Sequence, residues 1–248
     1  MNSLKVSIIT ACYNNASSIQ NCLDSVAEQR GVNVEHVIID GLSTDGTVDV
    51  IKSHPHISYF TSAKDDGIYD ALNKGLKAAT GDIVGFLHSD DVFKTNNVIA
   101  TILSYFQEDE TLDGVYGDIE FINSDRKQVR YYSSKKFRIE QFAIGKMPAH
   151  TSFFARRKVY DQFSFKLGYK IAADYDHLLR VMMSGKFKIE YRDILTTSML
   201  TGGASTKNIQ SRITINREIL RSCRENGVRT STLKVYSKYF KKIFEFKT

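Results

Sequence analysis

The chain has 248 residues, 42% of them hydrophobic, enough for one large domain with a substantial core and no compositional sign of disorder. A formal charge of +6 and a pI near 9.0 permit contact with nucleic acid, anionic lipid or phosphorylated ligands without choosing among them. Cys12, Cys22 and Cys223 are scattered and form no CxxC pair, so neither a disulfide framework nor a cysteine zinc site is expected, and the protein reads as cytoplasmic. MNSLKVSIIT runs straight into a strand, and no stretch reaches the roughly 18 apolar residues of a membrane span.

In chain order, Val6 to Thr10 reads as a first strand that breaks into the polar turn Tyr13, Asn14, Asn15. Ser17 with Gln20 three residues on is a capping-box signature for a helix whose apolar face is Ile19, Cys22, Leu23 and Val26, which assigns Cys22 to the core. Val34 to Ile39 is a second strand ending at Asp40, in the loop segment DGLSTDGT, and Ile57 to Thr61 is a third. Ile68, Leu72, Leu76 and Ala79 keep helical spacing up to Gly81. The run Ile83, Val84, Phe86, Leu87 is then a buried strand that stops abruptly at Ser89, Asp90 and Asp91. Strands alternating with helices predict a mostly parallel sheet, and open sheets of that kind bind ligands at their carboxyl ends, where Asp40 and Asp90 arrive. Taken alone, Ser-Asp-Asp reads first as an ordinary cap or turn, and its context is what changes that.

Beyond Asp91 the rhythm changes. Thr95 is a candidate cap for a helix carrying Val98, Ile99, Ile102, Leu103 and Phe106, and Val115 to Ile122 and Val129 to Tyr132 then read as consecutive strands, so antiparallel additions are expected. MPAHTSFFA, with the lone His150, reads as a loop leading into a strand, and His150 by itself fits a buried structural histidine. AADYDHLLRVMMS from Ala172 is a helix with Asp174 and Asp176 in its first turn, where acids ordinarily serve the dipole. Phe187 to Tyr191 is a further strand, followed by the TGGAS loop and a helix from about Asn208 to Glu225. The tail TLKVYSKYFKKIFEFKT interleaves lysines with aromatics, a composition that suits either an anionic membrane surface or an amphipathic helix docked on its own domain.

Neither GxGxxG nor GxxxxGK[ST] occurs, and GxSxG and HExxH are also absent, so dehydrogenase, P-loop and those two hydrolase chemistries lack their machinery. What remains is acids at two strand ends, then a histidine loop and a doubly acidic helix start. The series VSIITACYNN, HVIIDGLSTDGT, DDGIYDALNKGLKAATGDIVGFLHSDD, AHTSFFARR and IAADYDHLLR, over about residues 4–205, resembles the inverting glycosyltransferases of family 2. The likeness is greatest to bacterial enzymes that extend O-antigen and exopolysaccharide repeat units. The resemblance implies an α/β GT-A fold, with a donor half over about 1–112, an acceptor half over about 113–225 and a basic tail over 226–248. It also implies a nucleotide-sugar donor, usually UDP-linked, a saccharide acceptor, and Mn²⁺ or Mg²⁺.

By that resemblance Thr10, Tyr13 and Asn14 would wall the base, Asp40 would accept a hydrogen bond from the base imide or the ribose, and Asp66, Asn73 and Lys74 would line the donor pocket. Ser89 accompanies Asp90, and Asp90 would ligate the cation against the diphosphate, since a hard cation prefers carboxylate and phosphate oxygens. His88 stands where the family's DxD usually begins with Asp or Asn. Asp174 matches the catalytic base, with Ala173 where an acid commonly precedes it, and His150 matches a histidine near acceptor and diphosphate. Two residues apart on a helix, Asp174 and Asp176 point about 200° away from each other, which leaves Asp176 to the dipole or to Arg180. TGGAS matches a segment that closes over the donor in some members, or is a plain glycine turn.

An acceptor linked to undecaprenyl diphosphate would place the tail, from Ser231 to Thr248, on the cytoplasmic membrane face. Nucleic acid is not an expected partner, because the basic residues form no recognition motif. Two rivals are a sugar nucleotidyltransferase, for which ACYNNAS lacks the glycine-rich basic phosphate loop, and a catalytically inactive membrane-associated scaffold, against which Asp40, Asp90 and Asp174 together argue.

Overall fold

In the computed structural model, which describes residues 4–202 and 209–237, the apolar runs of the first half lie side by side as parallel strands. They are β1 (Lys5–Cys12), β2 (Asn33–Asp40), β3 (Ile57–Ser62) and β4 (Ile83–Phe86). The connecting helices are α1 (Ile19–Ala27), α2 (Thr47–Lys52) and α3 (Ile68–Ala78). The chain steps outward from β1 to β2 to β3 and then returns to set β4 on the other side of β1. Strand order therefore reverses between β1 and β4, and their carboxyl ends open a crevice. Apolar faces on both sides of this sheet explain why β1 and β4 are buried almost throughout.

The sheet continues without a break into the second half. After β5 (Val92–Phe93) and α4 (Val98–Glu108) come β6 (Gly114–Ile122), β7 (Gln128–Tyr132), β8 (Phe154–Arg156) and α5 (Arg157–Gln162). Then follow α6 (Ala173–Met183), β9 (Ile189–Leu200) and α7 (Ile209–Glu225). The order across the sheet is β3-β2-β1-β4-β8-β6-β9-β5, with β7 paired to β6. Short β8 runs antiparallel to both β4 and β6 and so joins the parallel half to the added strands. The expected antiparallel additions are present, together with one parallel pair, β6 with β9.

Several local expectations shift. The capping box at Ser17 does not form: α1 starts one residue later, Ser18 gives its hydroxyl to Asn15, and the Asn15 carbonyl accepts from Ser18 and Ile19 N–H. Asn97 rather than Thr95 stands at the N-terminus of α4. The strand expected at Phe187 to Tyr191 becomes the 12-residue β9. Gly117 makes room for it, because a Cβ there would lie 2.4 Å from the Ile194 carbonyl oxygen.

The opening of the tail docks on the domain: Val235 is fully buried in the same core cluster as Phe142 and Tyr175, Val228 packs against that cluster, and Thr230 donates to the Ala143 carbonyl. Residues 238–248 lie outside the described residues, and with them most of the segment expected at a membrane. Among the described residues no helix is long and apolar enough to cross a membrane.

Candidate active site

The crevice between β1 and β4 is laced by the two polar loops that sequence reading singled out. Asn15 Nδ2 donates to Ser89 Oγ at 2.7 Å, tying the end of β1 to the acidic turn after β4. Asn14 adopts φ 48° and takes part in two bonds to the loop after β2, donating its N–H to Ser43 Oγ and accepting the Thr44 N–H at Oδ1. Asp40 is fully buried and supports the same loop, accepting from Ser43 N–H and Oγ, Ser62 Oγ and Cys12 Sγ. Burial opposes its charge, yet the Ser43 and Ser62 hydrogen bonds hold its carboxyl below the ordinary carboxylate value. Asp40 therefore organises the loop with both oxygens engaged, and a ligand N–H would have to exchange with one of these donors.

Four other residues expected at the donor have surroundings of their own. Because β1 runs on to Cys12, Thr10 is inside the strand, fully buried, with its hydroxyl 3.1 Å from His36 Nε2, so it does not wall a base. Asn73 spends its amide on the far half of the protein, donating to the Phe165 carbonyl at 2.8 Å and accepting the Phe165 N–H at 3.0 Å. Asp66 is exposed, while its neighbour Asp65 faces the Asp40 loop: a Cβ on Gly41 would lie 2.8 Å from Asp65 Oδ2 and 3.4 Å from the Tyr13 ring. Lys74 pairs with Asp70 at 2.8 Å and, with Asp40, Tyr59, Thr61 and Lys77, lines a cavity of about 390 Å³ between α3 and β3. Tyr13, 65% exposed beside Gly41, is free to stack on a planar ligand.

The acidic turn offers unsatisfied groups. Ser89 is buried, and Asp90 is partly buried and makes no side-chain hydrogen bond among the described residues. Asp91 is buried, accepts the Leu200 N–H at Oδ1 (3.2 Å) and has no partner for Oδ2 among the described residues; burial, reinforced by the neighbouring Asp90 charge, pushes its carboxyl well above the ordinary range. His150, on a single turn of 3-10 helix (His150–Ser152), stacks between Phe86 at 5.4 Å and His88 at 5.8 Å. Both ring nitrogens of His150 and Nδ1 of His88 are buried without a partner among the described residues. Burial lowers the basicity of each ring, which keeps both neutral and able to accept as well as donate. His150 is thus buried, as its isolated reading expected, but at the crevice and unsatisfied.

Asp174 opens α6 on the opposite wall. It is partly buried, its Oδ1 lies 3.5 Å from the Tyr69 hydroxyl of α3, and burial pushes its carboxyl up to about 6 against the hydrogen bonds it accepts. Asp176, as helical geometry requires, points the other way. It is fully buried and accepts from Arg180 Nε (2.6 Å), Ser222 Oγ (2.8 Å), Asn226 Nδ2 (3.1 Å) and the Tyr169 hydroxyl (3.3 Å). Three residues missed in the sequence hold Asp174 in place. Glu218 of α7 accepts the N–H groups of Lys170, Ile171 and Ala172, just before α6. Tyr69 bridges to the Ile171 carbonyl and stacks on Phe165, whose ring also meets His150 at 5.8 Å. A charged residue amid α7's polar face and two aromatics at core spacing carried no separate signal.

A line of contacts from Asp174 through Tyr69, Phe165 and His150 to His88, two residues before Asp90 in sequence, thus crosses the seam of the sheet. Residues 7–165 match the model of Glycosyl transferase family 2. The chain belongs to that family. It is a glycosyltransferase with a GT-A fold. It is 28% identical over 208 residues to the PGL/p-HBAD biosynthesis glycosyltransferase of Mycobacterium bovis, covering 82% of this chain and 79% of that protein. Among solved structures it resembles Staphylococcus aureus TarS 1-349 with a TM-score of 0.67 and 19% identity, over 88% of this chain and 65% of that one. It also resembles the mannosyltransferase PcManGT of Pyrobaculum calidifontis, solved with GDP-Man and Mn²⁺, with a TM-score of 0.67 and 17% identity over 94% of this chain and 68% of that one.

The opposed roles of the two α6 acids can be separated by measurement. Asp176→Asn removes the charge from a buried network of four donors and is expected to lower unfolding stability by about 3 kcal/mol in a denaturant melt at neutral pH. An unchanged midpoint would show that the network contributes nothing to α6.

Proposed function

We propose that this glycosyltransferase performs a single displacement, moving a hexosyl group from a UDP-sugar to a hydroxyl of a saccharide acceptor carried on undecaprenyl diphosphate. The observation that carries the reading is Asp174, a carboxylate with one edge open, held opposite the acidic turn and tuned near neutrality. Support for the donor class comes from TarS, solved with UDP and with UDP-GlcNAc, and from PcManGT with GDP-Man. Tyr13 and Asn14 would meet the base, and Asp40, with Asp65 beside it, the base edge or ribose.

As the acceptor oxygen bonds to the anomeric carbon, the bond from that carbon to the diphosphate oxygen breaks and its electron pair leaves with the nucleotide. The hydroxyl proton passes to Asp174, which must be ionised to take it. Asp90 fits a divalent cation, Mn²⁺ or Mg²⁺, because it is a carboxylate that makes no side-chain hydrogen bond among the described residues. Among the described residues no group of three protein ligands forms, so phosphate oxygens would complete the shell. When bound, the cation offsets charge on the leaving diphosphate. His88 and His150 supply donors to the same oxygens, and the protein works at the cytoplasmic membrane surface, where such acceptors lie.

Asp90→Asn is expected to reduce turnover by orders of magnitude with an unchanged melting curve, and EDTA should do the same to the wild type. Wild-type turnover from that variant, or full activity in EDTA, would remove Asp90 and the cation from the reaction.

For the base, Asp174→Asn should cut transfer by about 10² to 10⁴-fold while retaining donor binding. Wild-type transfer should fall about tenfold per pH unit below about 6, as the carboxylate is protonated. Since the folded protein binds this proton more tightly than the unfolded chain, ionised Asp174 costs stability as pH rises through about 6. The Asn variant should therefore match the wild type near pH 4 and exceed it by up to about 3 kcal/mol at pH 8. Flat transfer from pH 5 to pH 8 would exclude Asp174 as the base.

A further inference from the structure

The β6–β7 hairpin carries a surface that the transfer reaction does not use. Residues 124–131 are exposed without interruption, and β7 pairs with β6 alone among the described strands. Arg126, Lys127, Arg130, Lys135, Lys136 and Arg138 stand on the turn of this hairpin, on β7 and on the segment after it, a stretch whose acids are Asp125 and Glu140. Of the six cations only Lys135 has an ion pair among the described residues, to Asp193. The turn is built firmly enough to present them: Arg126 N–H donates to the Asn123 carbonyl, Asn123 N–H to the Lys127 carbonyl, and Lys127 N–H to Asn123 Oδ1. Between the cations lie apolar side chains left in water, Val129 at 54% exposure, Tyr131 at 48% and Ile139 at 38%.

We propose that this hairpin docks on an anionic lipid bilayer. Charge on an edge strand commonly serves to prevent strand pairing, and one or two lysines suffice for that. Six cations with exposed Val, Tyr and Ile among them instead match the two components of an interfacial site, attraction to anionic headgroups and shallow apolar insertion. A polyanion such as nucleic acid would use the charges and leave Val129 and Ile139 without a role. Position supports the same occupant. The Tyr132 hydroxyl donates to the Met147 carbonyl and Ala149 N–H to Ser134 Oγ, so the base of the hairpin braces the segment that carries His150. Thr230, at the root of the basic tail, is bonded to Ala143, five residues past Arg138 in sequence. The surface itself does not depend on the transfer mechanism.

The test is co-sedimentation of the full chain with vesicles of phosphatidylcholine alone and of phosphatidylcholine mixed with phosphatidylglycerol. The wild type should pellet with the anionic vesicles only. The triple variant Arg126→Glu, Lys127→Glu, Lys136→Glu should lose on the order of tenfold or more in partitioning, given the contribution of each cation near anionic lipid. Its melting curve and donor hydrolysis should match the wild type, which separates lost docking from misfolding or a failed active site. Val129→Ser with Ile139→Ser should weaken vesicle binding several-fold and leave binding to soluble single-stranded DNA unchanged. Undiminished vesicle binding by the charge variant would assign docking elsewhere, and vesicle binding insensitive to the apolar pair would mark the patch as a polyanion site. Either result overturns the proposal.

Discussion

One amide bridges the two halves of this glycosyltransferase twice over. Asn73, in the middle of α3, offers both its donor and its acceptor to the backbone of Phe165, as a neighbouring strand would, and fixes that residue in place and in orientation. The Phe165 ring is then surrounded by Phe86 at 5.3 Å, Tyr69 at 5.9 Å, His150 at 5.8 Å and His177 at 4.7 Å, drawn from both halves. Rings in such edge and offset contacts pack with directional preference, so moving one moves the others. Through Tyr69 the cluster reaches Asp174, and through His150 and His88 it reaches the acidic turn. The spacing between Asp174 and the acidic turn is therefore set by core packing, which is stiff, rather than by the surface loops.

Within that frame the same side chain is given different chemistry by its surroundings. Asp40 is buried among donors and kept charged, as a structural anchor. Asp176 meets Arg180 and three neutral donors and ties α6 to α7. Asp90 has no hydrogen-bond partner for its side chain among the described residues, and Asp174 sits where burial outweighs its few donors, which raises its carboxyl to about 6. Environments that push like groups apart are how one fold assigns acid, base and ligand roles to carboxylates.

The parallel half was legible because its strands are unbroken apolar runs and its helices keep a 3.6-residue period, signals that do not depend on distant partners. The acidic strand ends and the opposed directions of Asp174 and Asp176 followed from the same local geometry. β9 was cut short in the sequence reading because its second half, Leu195 to Ser198, is polar by composition. Those hydroxyls are buried and satisfied by β6 and by the His150 turn, with Thr196 donating to the Asp118 carbonyl, Thr197 to the Thr151 carbonyl and Ser198 to Glu120. Thr10 lies inside a strand that runs two residues further than its apolar run, and Asp65, next to Asp66, is the acid close to Gly41. Asn73 looked like a ligand-binding amide because its actual partner is 92 residues away. For Asn73 and the β9 hydroxyls the surroundings are decided by long-range partners, which no local pattern encodes.

The central claim is that transfer occurs in one displacement across this cleft, with attack from the face opposite the leaving diphosphate. The anomeric configuration of the product reports this directly. With an α-linked UDP-hexose donor, the one-bond and vicinal couplings in the NMR spectrum of the purified product should show a β linkage. A product with the donor's α configuration would contradict the mechanism, because it requires an even number of displacements and a nucleophile on the protein that the proposed mechanism does not use.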